Sequence, residues 1–281
     1  MPFTLSHTAA VLPLARGPLV PSALVIGSMA PDIPYFFFAM ELRSTTHRAH
    51  GVVTVDVLIG LAAFAVWHLL WKRPLAALAP ARVRRRLPLD APVRWGWAVP
   101  SVAIGAATHV LWDAFTHLNW SFAGELPWLT ESLGGVAVYV WLQYISGVAG
   151  LAIVLLWLTR WLRKAHAPAP AATAAGTGTG TLTHARTATR TEAQVDERTD
   201  TRTNARGPVG DAGGGLRLPV CAGIAAVSAA GGMLSALMLP DVPDVHTILY
   251  YGCVGTIAAA GLALTVYTVW WHVARPAALE L

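Results

Sequence analysis

Three polar residues recur at intervals of four within the apolar stretch THVLWDAFTH. They are His109, Asp113 and His117. On an α-helix, residues four apart differ by about 40° around the axis, so all three side chains project from one face. Neutral imidazole nitrogens and carboxylate oxygens suit zinc or a similar divalent ion, and an i, i+4 pair can hold one metal. The spacing therefore predicts a metal site, with a proton relay or a structural polar network as the alternatives.

Residues of the same chemistry lie nearer the N-terminus, and a metal site needs such partners. The candidate metal ligands are therefore His7, Asp32, His47, His50, His109, Asp113 and His117. Asp32 and Asp113 are also the candidate catalytic residues, because a carboxylate can accept a proton from water. Two of the N-terminal residues have plainer interpretations as well: His7 as a capping or interfacial residue, and Asp32 as a helix-start residue after proline.

The composition predicts that these residues lie in a membrane protein. Of the 281 residues, 55% are hydrophobic and 12% are charged, and that charged fraction is roughly half of what soluble domains carry. Five apolar runs reach the length of about 20 residues that a spanning helix needs: 52–71, 97–115, 136–162, 218–239 and 247–271. A sixth apolar region, 18–40, contains four prolines, which predicts a broken or re-entrant segment. We therefore expect an all-α polytopic helical membrane protein with five to six spans.

The charged residues are segregated along the chain. Segment 72–96 contains seven basic residues against one acid, and 160–217 contains nine more basic residues. Segments 116–135 and 240–246 contain acids but no lysine or arginine. This alternation follows the positive-inside rule, so the basic loops are predicted to be cytoplasmic and segment 43–51 to lie on the outer face of the plasma membrane. No nucleic-acid-binding fold accompanies the charge, so membrane lipid is the expected partner and nucleic acid is not.

A low-complexity stretch divides the chain. Residues 165–215 contain runs such as GTGTGT and GDAGGG, which cannot bury enough apolar surface to order themselves. This stretch is predicted to be a disordered cytoplasmic linker. It separates a membrane domain that carries the metal site, 1–164, from a two-helix membrane unit, 216–281.

Several motifs in order resemble an uncharacterised bacterial membrane family, domain of unknown function 4184. They are MPFTLSHTAAVLPL, ALVIGSMAPDIPYF, THRAHG and GAATHVLWDAFTH. The same positions are more loosely similar to those of bacterial membrane-bound metal-dependent hydrolases and of zinc-dependent phospholipases C. Two features depart from those patterns: Ala49 stands where glycine is typical, and no His-x-x-x-Glu completes the phospholipase set.

Two functions follow from these residues and from the resemblance. The resemblance implies a metal-dependent hydrolase that opens at the outer membrane face and acts on a lipid-like or amphiphilic ester or phosphoester. It would use one or two divalent ions, zinc being favoured, to lower the pKa of a water molecule. The alternative is a non-enzymatic integral membrane protein in which the same residues form a structural metal site, an ion or proton path, or a scaffold.

Overall fold

Five long apolar helices dominate the structure, a computed structural model that describes residues 4–118, 122–164, 214–239 and 245–274. The segments long and apolar enough to cross a membrane are Val55–Leu78, Trp95–Thr116, Val138–Lys164, Arg217–Leu237 and Thr247–Val273. Each overlaps one of the predicted spans, so the all-α polytopic prediction is confirmed. The predicted linker lies outside the described residues except for its last two, which begin a helix.

Shorter helices join and precede the spans. The α-helices are α1 (Thr8–Val11), α2 (Pro21–Gly27), α3 (Arg43–Thr46), α4 (Ala49–Val53), α5 (Val55–Val66), α6 (Lys72–Leu78), α7 (Ala81–Arg84), α8 (Trp95–Thr116), α9 (Phe122–Glu125), α10 (Pro127–Thr130), α11 (Val138–Lys164), α12 (Gly214–Leu237) and α13 (Val245–Val273). A π-helical turn, Trp67–Trp71, joins α5 to α6. The 3-10 segments are Thr4–His7, Leu12–Leu14, Ala30–Phe37 and Met40–Leu42. Two short antiparallel strands are β1 (Ser132–Leu133) and β2 (Val136–Ala137).

The proline-rich region 18–40 is broken, as predicted. It forms α2 and then the 3-10 segment Ala30–Phe37, which ends at Phe38 in a left-handed conformation with φ 57°. Pro34 lies inside that segment, and because proline has no N–H it prevents a regular α-helix there. The break directs the segment towards the protein interior, where Asp32 is fully buried.

Helix α2 packs against α8 through direct backbone contact. A Cβ atom at Gly27 would lie 2.7 Å from Val102 Cα, and one at Gly105 would lie 2.6 Å from Ser28 N. Cβ atoms do not approach other heavy atoms so closely, so only glycine permits this packing. Beside the contact lies the apolar core between α2, α5 and α8, formed by Val20, Ala23, Phe64, Ala98 and Val102.

A similar contact fixes the N-terminal segment. A Cβ atom at Gly150 of α11 would lie 2.7 Å from the carbonyl oxygen of Ser6. Gly147 and Gly150 are the buried residues of this otherwise outward-facing helix. Small residues are what allow close packing of helices in membranes. The segment Thr4–His7 is therefore held against α11, and His7 is carried into the interior.

Helices α12 and α13 pair with each other and also contact the first part of the chain. Gly231 and Gly255 lie at their interface, where an added Cβ would clash with the opposite helix. The Tyr267 hydroxyl donates to the carbonyl of Pro74 at 3.3 Å, and His272 Nε2 lies 3.0 Å from the carbonyl of Leu70. The last two spans are thereby attached to the α5–α6 span at the end of the molecule that carries the basic loop.

Candidate metal centre

Five of the candidate residues come together from four separate elements, and we call them the His/Asp cluster. They are His7 at the end of the first 3-10 segment, Asp32 in segment Ala30–Phe37, His47 directly after α3, and His109 and Asp113 on α8. The possible ligand atoms of Asp32, His47 and His109 lie within 4.8 Å of one another, as do those of His7, His109 and Asp113. Because His109 belongs to both groups, the two groups form one site.

Four atoms of the cluster face a common centre. Asp32 Oδ1 lies 3.5 Å from both His47 Nε2 and His109 Nε2. Asp113 Oδ2 lies 3.4 Å from His47 Nε2 and 3.7 Å from His109 Nε2. These separations exceed normal hydrogen-bond lengths. Ligand atoms placed tetrahedrally around zinc with bonds of about 2.0–2.1 Å are about 3.3 Å apart, so each of these four pairs is slightly wider than that. Among the described residues, Asp32 and Asp113 do not share a group whose ligand atoms all lie within 4.8 Å of one another.

The position of the proton on His109 follows from its other contact. His109 Nδ1 lies 2.8 Å from the carbonyl oxygen of Ser28. A carbonyl only accepts, so Nδ1 must carry a hydrogen. When the ring is neutral, as metal binding requires, Nε2 then presents a lone pair to the centre. Because one imidazole nitrogen binds one ion, His109 Nε2 can serve only one ion at a time.

The position of the proton on His47 Nδ1 follows from its contact with Thr46. The hydroxyl of Thr46 donates to the carbonyl of Pro31 at 3.1 Å and lies 3.0 Å from His47 Nδ1. Because its only hydrogen is engaged with Pro31, this hydroxyl must accept from His47 Nδ1–H. In the neutral ring, His47 Nε2 then also presents a lone pair. The orientation of both histidines is set by groups behind them, as is usual for metal-binding histidines.

With both rings neutral, the four atoms that face the centre are all hydrogen-bond acceptors. Within the part of the chain that the structure describes, Asp32 Oδ1, His109 Nε2 and Asp113 Oδ2 are buried and have no hydrogen-bond partner. Converging lone pairs and carboxylates repel each other unless a cation lies between them. The residues present therefore fit a divalent ion.

His7 occupies the edge of the cluster. Its Nε2 lies 3.5 Å from Asp113 Oδ1, and its ring stacks on that of His109 with centroids 3.9 Å apart. Burial lowers the pKa of His7 to about 4. The ring is thus neutral at pH 7 and retains the lone pair that a metal requires.

His117 is not on the helix that the fourfold spacing predicted. Helix α8 ends at Thr116, and His117 is extended, with φ −139° and ψ 123°. Its Nδ1 lies 3.3 Å from the carbonyl oxygen of Asp113 and replaces the backbone N–H that would bond there in a continued helix. The ring still lies near the cluster, with Nδ1 3.6 Å from Asp113 Oδ2, and Gln143 Nε2 is 3.0 Å from its Nε2. Burial lowers its pKa, which favours the neutral ring.

His50 lies outside the cluster. Arg48 is extended, with φ −117° and ψ 155°, and separates α3 from α4. His47 and His50 therefore do not share a helix face: His47 is buried, whereas His50 is exposed. The structure brings six of the seven candidate ligands to one place and leaves His50 at the surface.

The exposure of the side chains differs between the middle of the cluster and its edge. The side chains of Asp32, His47, His109 and Asp113 are at most 3% exposed. His7, His117 and Arg43 are 11%, 18% and 20% exposed, and we call these three residues the rim. Among the described residues, the rim is thus the exposed edge of the cluster.

Asp56 adds a further buried acid beside the cluster. It is fully buried in the first turn of α5, and neither of its carboxylate oxygens has a hydrogen-bond partner among the described residues. It interacts electrostatically with His47, His109 and Asp32. A third acidic side chain therefore lies next to the centre.

One family comparison covers all of these residues. Residues 1–205 match the family described as Domain of unknown function (DUF4184). The chain belongs to the DUF4184 family. No curated protein and no solved structure matches it. The part matched to DUF4184 includes every candidate ligand and the rim, whereas α12 and α13 lie beyond it.

Several residues that support the site in this DUF4184 member were not predicted from its sequence. They are Thr4, Ser28, Tyr35, Arg43 and Thr46. Thr4 donates to Asp32 Oδ2 at 2.7 Å, and its position three residues before His7 could have suggested a role. Thr46 directly precedes His47 and could have been found in the same way. Ser28 acts through its backbone carbonyl, for which a sequence gives no signal.

Proposed function

We propose that the chain is a membrane-embedded metal-dependent hydrolase acting on a lipid-like or amphiphilic ester or phosphoester. The observation that carries this proposal is the convergence of four buried acceptor atoms beside a partly exposed rim. One divalent ion would be held by Asp32, His47, His109 and Asp113. A set of two imidazoles and two carboxylates suits zinc, and also manganese or iron.

A divalent ion at this position supplies two things: it acidifies a water molecule and polarises the group to be cleaved. Asp113 is the better candidate for proton transfer, because its Oδ1 faces the rim residue His7, whereas Asp32 Oδ2 is engaged by Thr4. In the reaction, the water oxygen bonds to the carbonyl carbon or phosphorus, and Asp113 accepts the proton. The bond to the leaving alcohol breaks, and the alcohol oxygen takes up that proton.

The position of the cluster along α8 suggests where the substrate enters. Helix α8 begins next to Arg94 of the basic loop, and the cluster lies near its other end. By the positive-inside rule the basic loop is cytoplasmic, so the rim opens at the outer face of the plasma membrane. A site at this level favours a substrate that resides in lipid.

One observation favours a second candidate, a structural metal site. Four protein ligands fill a tetrahedral zinc site, and closed sites of that kind are structural, whereas catalytic zinc keeps a position for water. In the hydrolase, the ion must accept a further ligand from the rim side. Metal content and turnover together separate the two functions.

The first prediction compares the two histidines of the THRAHG motif. The full-length protein, purified in detergent without chelator, should contain one zinc, manganese or iron ion per chain by elemental analysis. His47→Ala should lose most of that metal, because it removes a lone pair from the centre. His50→Ala should retain it, because His50 is exposed and lies outside the cluster.

The same preparations should then be assayed on long-chain phosphoesters and carboxylic esters. Metal-dependent turnover that is lost with His47→Ala and kept with His50→Ala is the result we expect. Wild-type protein that contains no bound metal would contradict the proposal. Bound metal without turnover on either class of ester would favour the structural site.

The second prediction concerns the hydroxyl behind His47. Thr46→Val keeps the side-chain shape but removes the acceptor for His47 Nδ1–H, so the ring is no longer held in the metal-binding tautomer. Loss of such a supporting hydrogen bond typically lowers metal affinity about 10–100-fold. Competition with a fluorescent chelator measures this change. Thr45→Val is the control, since Thr45 makes no side-chain hydrogen bond among the described residues; equal affinities for the two variants would contradict the role of Thr46.

A further inference from the structure

Arg43 lies at the edge of the His/Asp cluster without belonging to it. Its Nη2 is 4.0 Å from Asp113 Oδ2, which is beyond hydrogen-bond length. Its side chain is 20% exposed and forms part of the rim. The guanidinium therefore faces the route by which a ligand reaches the centre.

The charge of Arg43 points to the kind of ligand. Its guanidinium brings a positive group to the rim, beside the centre in which the proposed divalent ion would lie. An anionic phosphate oxygen can interact with both the ion and the guanidinium, whereas an uncharged ester offers no anion to the guanidinium.

Tyr35 holds the guanidinium in place. Arg43 Nη1 donates to the Tyr35 hydroxyl, and the guanidinium carbon lies 5.4 Å from the centre of the tyrosine ring. Tyr35 is itself buried, and its ring lies 6.2 Å from that of His47. An arginine fixed in this way presents a planar set of donors with little further loss of conformational entropy, which suits the geometry of phosphate.

The residues between Tyr35 and Arg43 form an apolar lip. Phe37, Phe38, Met40 and Leu42 are all exposed. The Tyr250 hydroxyl donates to Met40 Sδ at 3.5 Å, and Tyr250 lies in the first turn of the last span. The lip is thus at the level where that span begins, so an apolar chain attached to a bound phosphate can lie along it in the lipid.

The geometry points to Arg43 as the residue that binds the phosphate group of the substrate, which makes that substrate a lipid-like phosphoester rather than an uncharged carboxylic ester. This inference rests on the proposed metal site. Arg43 is a binding residue in it, and Tyr35 positions Arg43.

The test measures binding instead of turnover. Full-length zinc-loaded protein in detergent is titrated with inorganic phosphate and, separately, with dioctanoyl phosphatidic acid in the same detergent. Arg43→Gln should weaken both affinities about 10–100-fold, the effect of losing a charged, paired hydrogen bond, and should leave the zinc content unchanged. Arg43→Lys should recover part of the loss. Arg48→Gln, at an exposed arginine of the same segment, should bind as the wild type does.

The outcomes separate this inference from the proposed function. If zinc is bound but the wild type and Arg43→Gln bind phosphate equally well, or neither binds it, the role of Arg43 is wrong. The metal site is not contradicted by either result. Absence of zinc in the wild type overturns both. If phosphatidic acid binds no more tightly than inorganic phosphate, the lipid part is wrong and the substrate is a water-soluble phosphoester. Tighter binding of phosphatidic acid, lost with Arg43→Gln, supports the inference as stated.

Discussion

Asp113→Asn is expected to lower the metal affinity of the protein by more than about 100-fold, beyond the range seen for groups that merely support a ligand. One carboxylate oxygen of Asp113 faces His47 and His109, and the other faces His7. An amide of the same shape removes the negative charge and weakens the site as a ligand. Equilibrium dialysis against radioactive zinc measures the difference.

The free energy of unfolding of Asp113→Asn, measured in chelator, shows whether Asp113 is a metal ligand or the acidic partner of an ion pair. If Asp113 were paired with protonated histidines, removing its charge would destabilise the metal-free protein by about 3–5 kcal/mol. If it is a metal ligand, the asparagine relieves repulsion, and the metal-free variant is at least as stable as the wild type. Zinc at 100 times its Kd should stabilise the wild type by about 2.7 kcal/mol and the variant by much less.

Asp90→Asn is the matched control for these measurements. Asp90 is an exposed acid that pairs with Arg73 at 2.9 Å in the basic loop, and its side chain is 87% exposed. This change should alter neither zinc affinity nor thermal stability in chelator beyond a few tenths of a kcal/mol. Wild-type zinc binding by Asp113→Asn, or a large loss of its stability in chelator, would rule out the ligand role.

Gly105→Ala is expected to damage the site from a distance. The added methyl group would lie 2.6 Å from Ser28 N and 2.9 Å from Gly27 C, so α2 must move away from α8. Overpacking of this kind costs about 1–3 kcal/mol of stability. The displacement also takes the Ser28 carbonyl from His109 Nδ1, and zinc affinity should fall about 10–100-fold as a result.

Gly96→Ala on the same helix shows whether the effect comes from the contact or from the loss of a glycine. No atom lies within 4 Å of a Cβ at Gly96. Alanine there should be neutral or stabilising by up to about 1 kcal/mol, with unchanged zinc affinity. Thermal unfolding and zinc titration of both variants make the comparison; similar behaviour at the two positions would contradict the proposed link between helix packing and the metal centre.

The membrane spans could be predicted because their signal is local. An apolar run of about 20 residues must be helical in lipid whatever surrounds it, since its backbone has no other hydrogen-bond partners there. The break at 18–40 was also predictable, because proline acts on its own backbone and its immediate neighbours. In both cases the physical cause lies within the segment itself.

The candidate site could be predicted only in part. Spacing correctly indicated that His109 and Asp113 face one centre, since both lie on a continuous helix. It placed His117 on the same helix, whereas α8 ends at Thr116. His50 was predicted to be a ligand together with His47, whereas the extended Arg48 separates the two. Residue spacing predicts which side chains face one centre only where the backbone is a regular helix. The backbone is not helical at His117 or at Arg48.

The sequence by itself determined that this is a helical membrane protein with His and Asp residues in and beside its spans. Tertiary structure alone decided how those residues meet: the Ser28 carbonyl on His109, 81 residues away, and the guanidinium of Arg43 beside Asp113. Hydropathy and charge act within a segment and can be read along the chain. The contact of α2 with α8 depends on Gly27 and Gly105, which lie in separate segments of the chain. These two glycines come close to the opposite helix only in the folded protein.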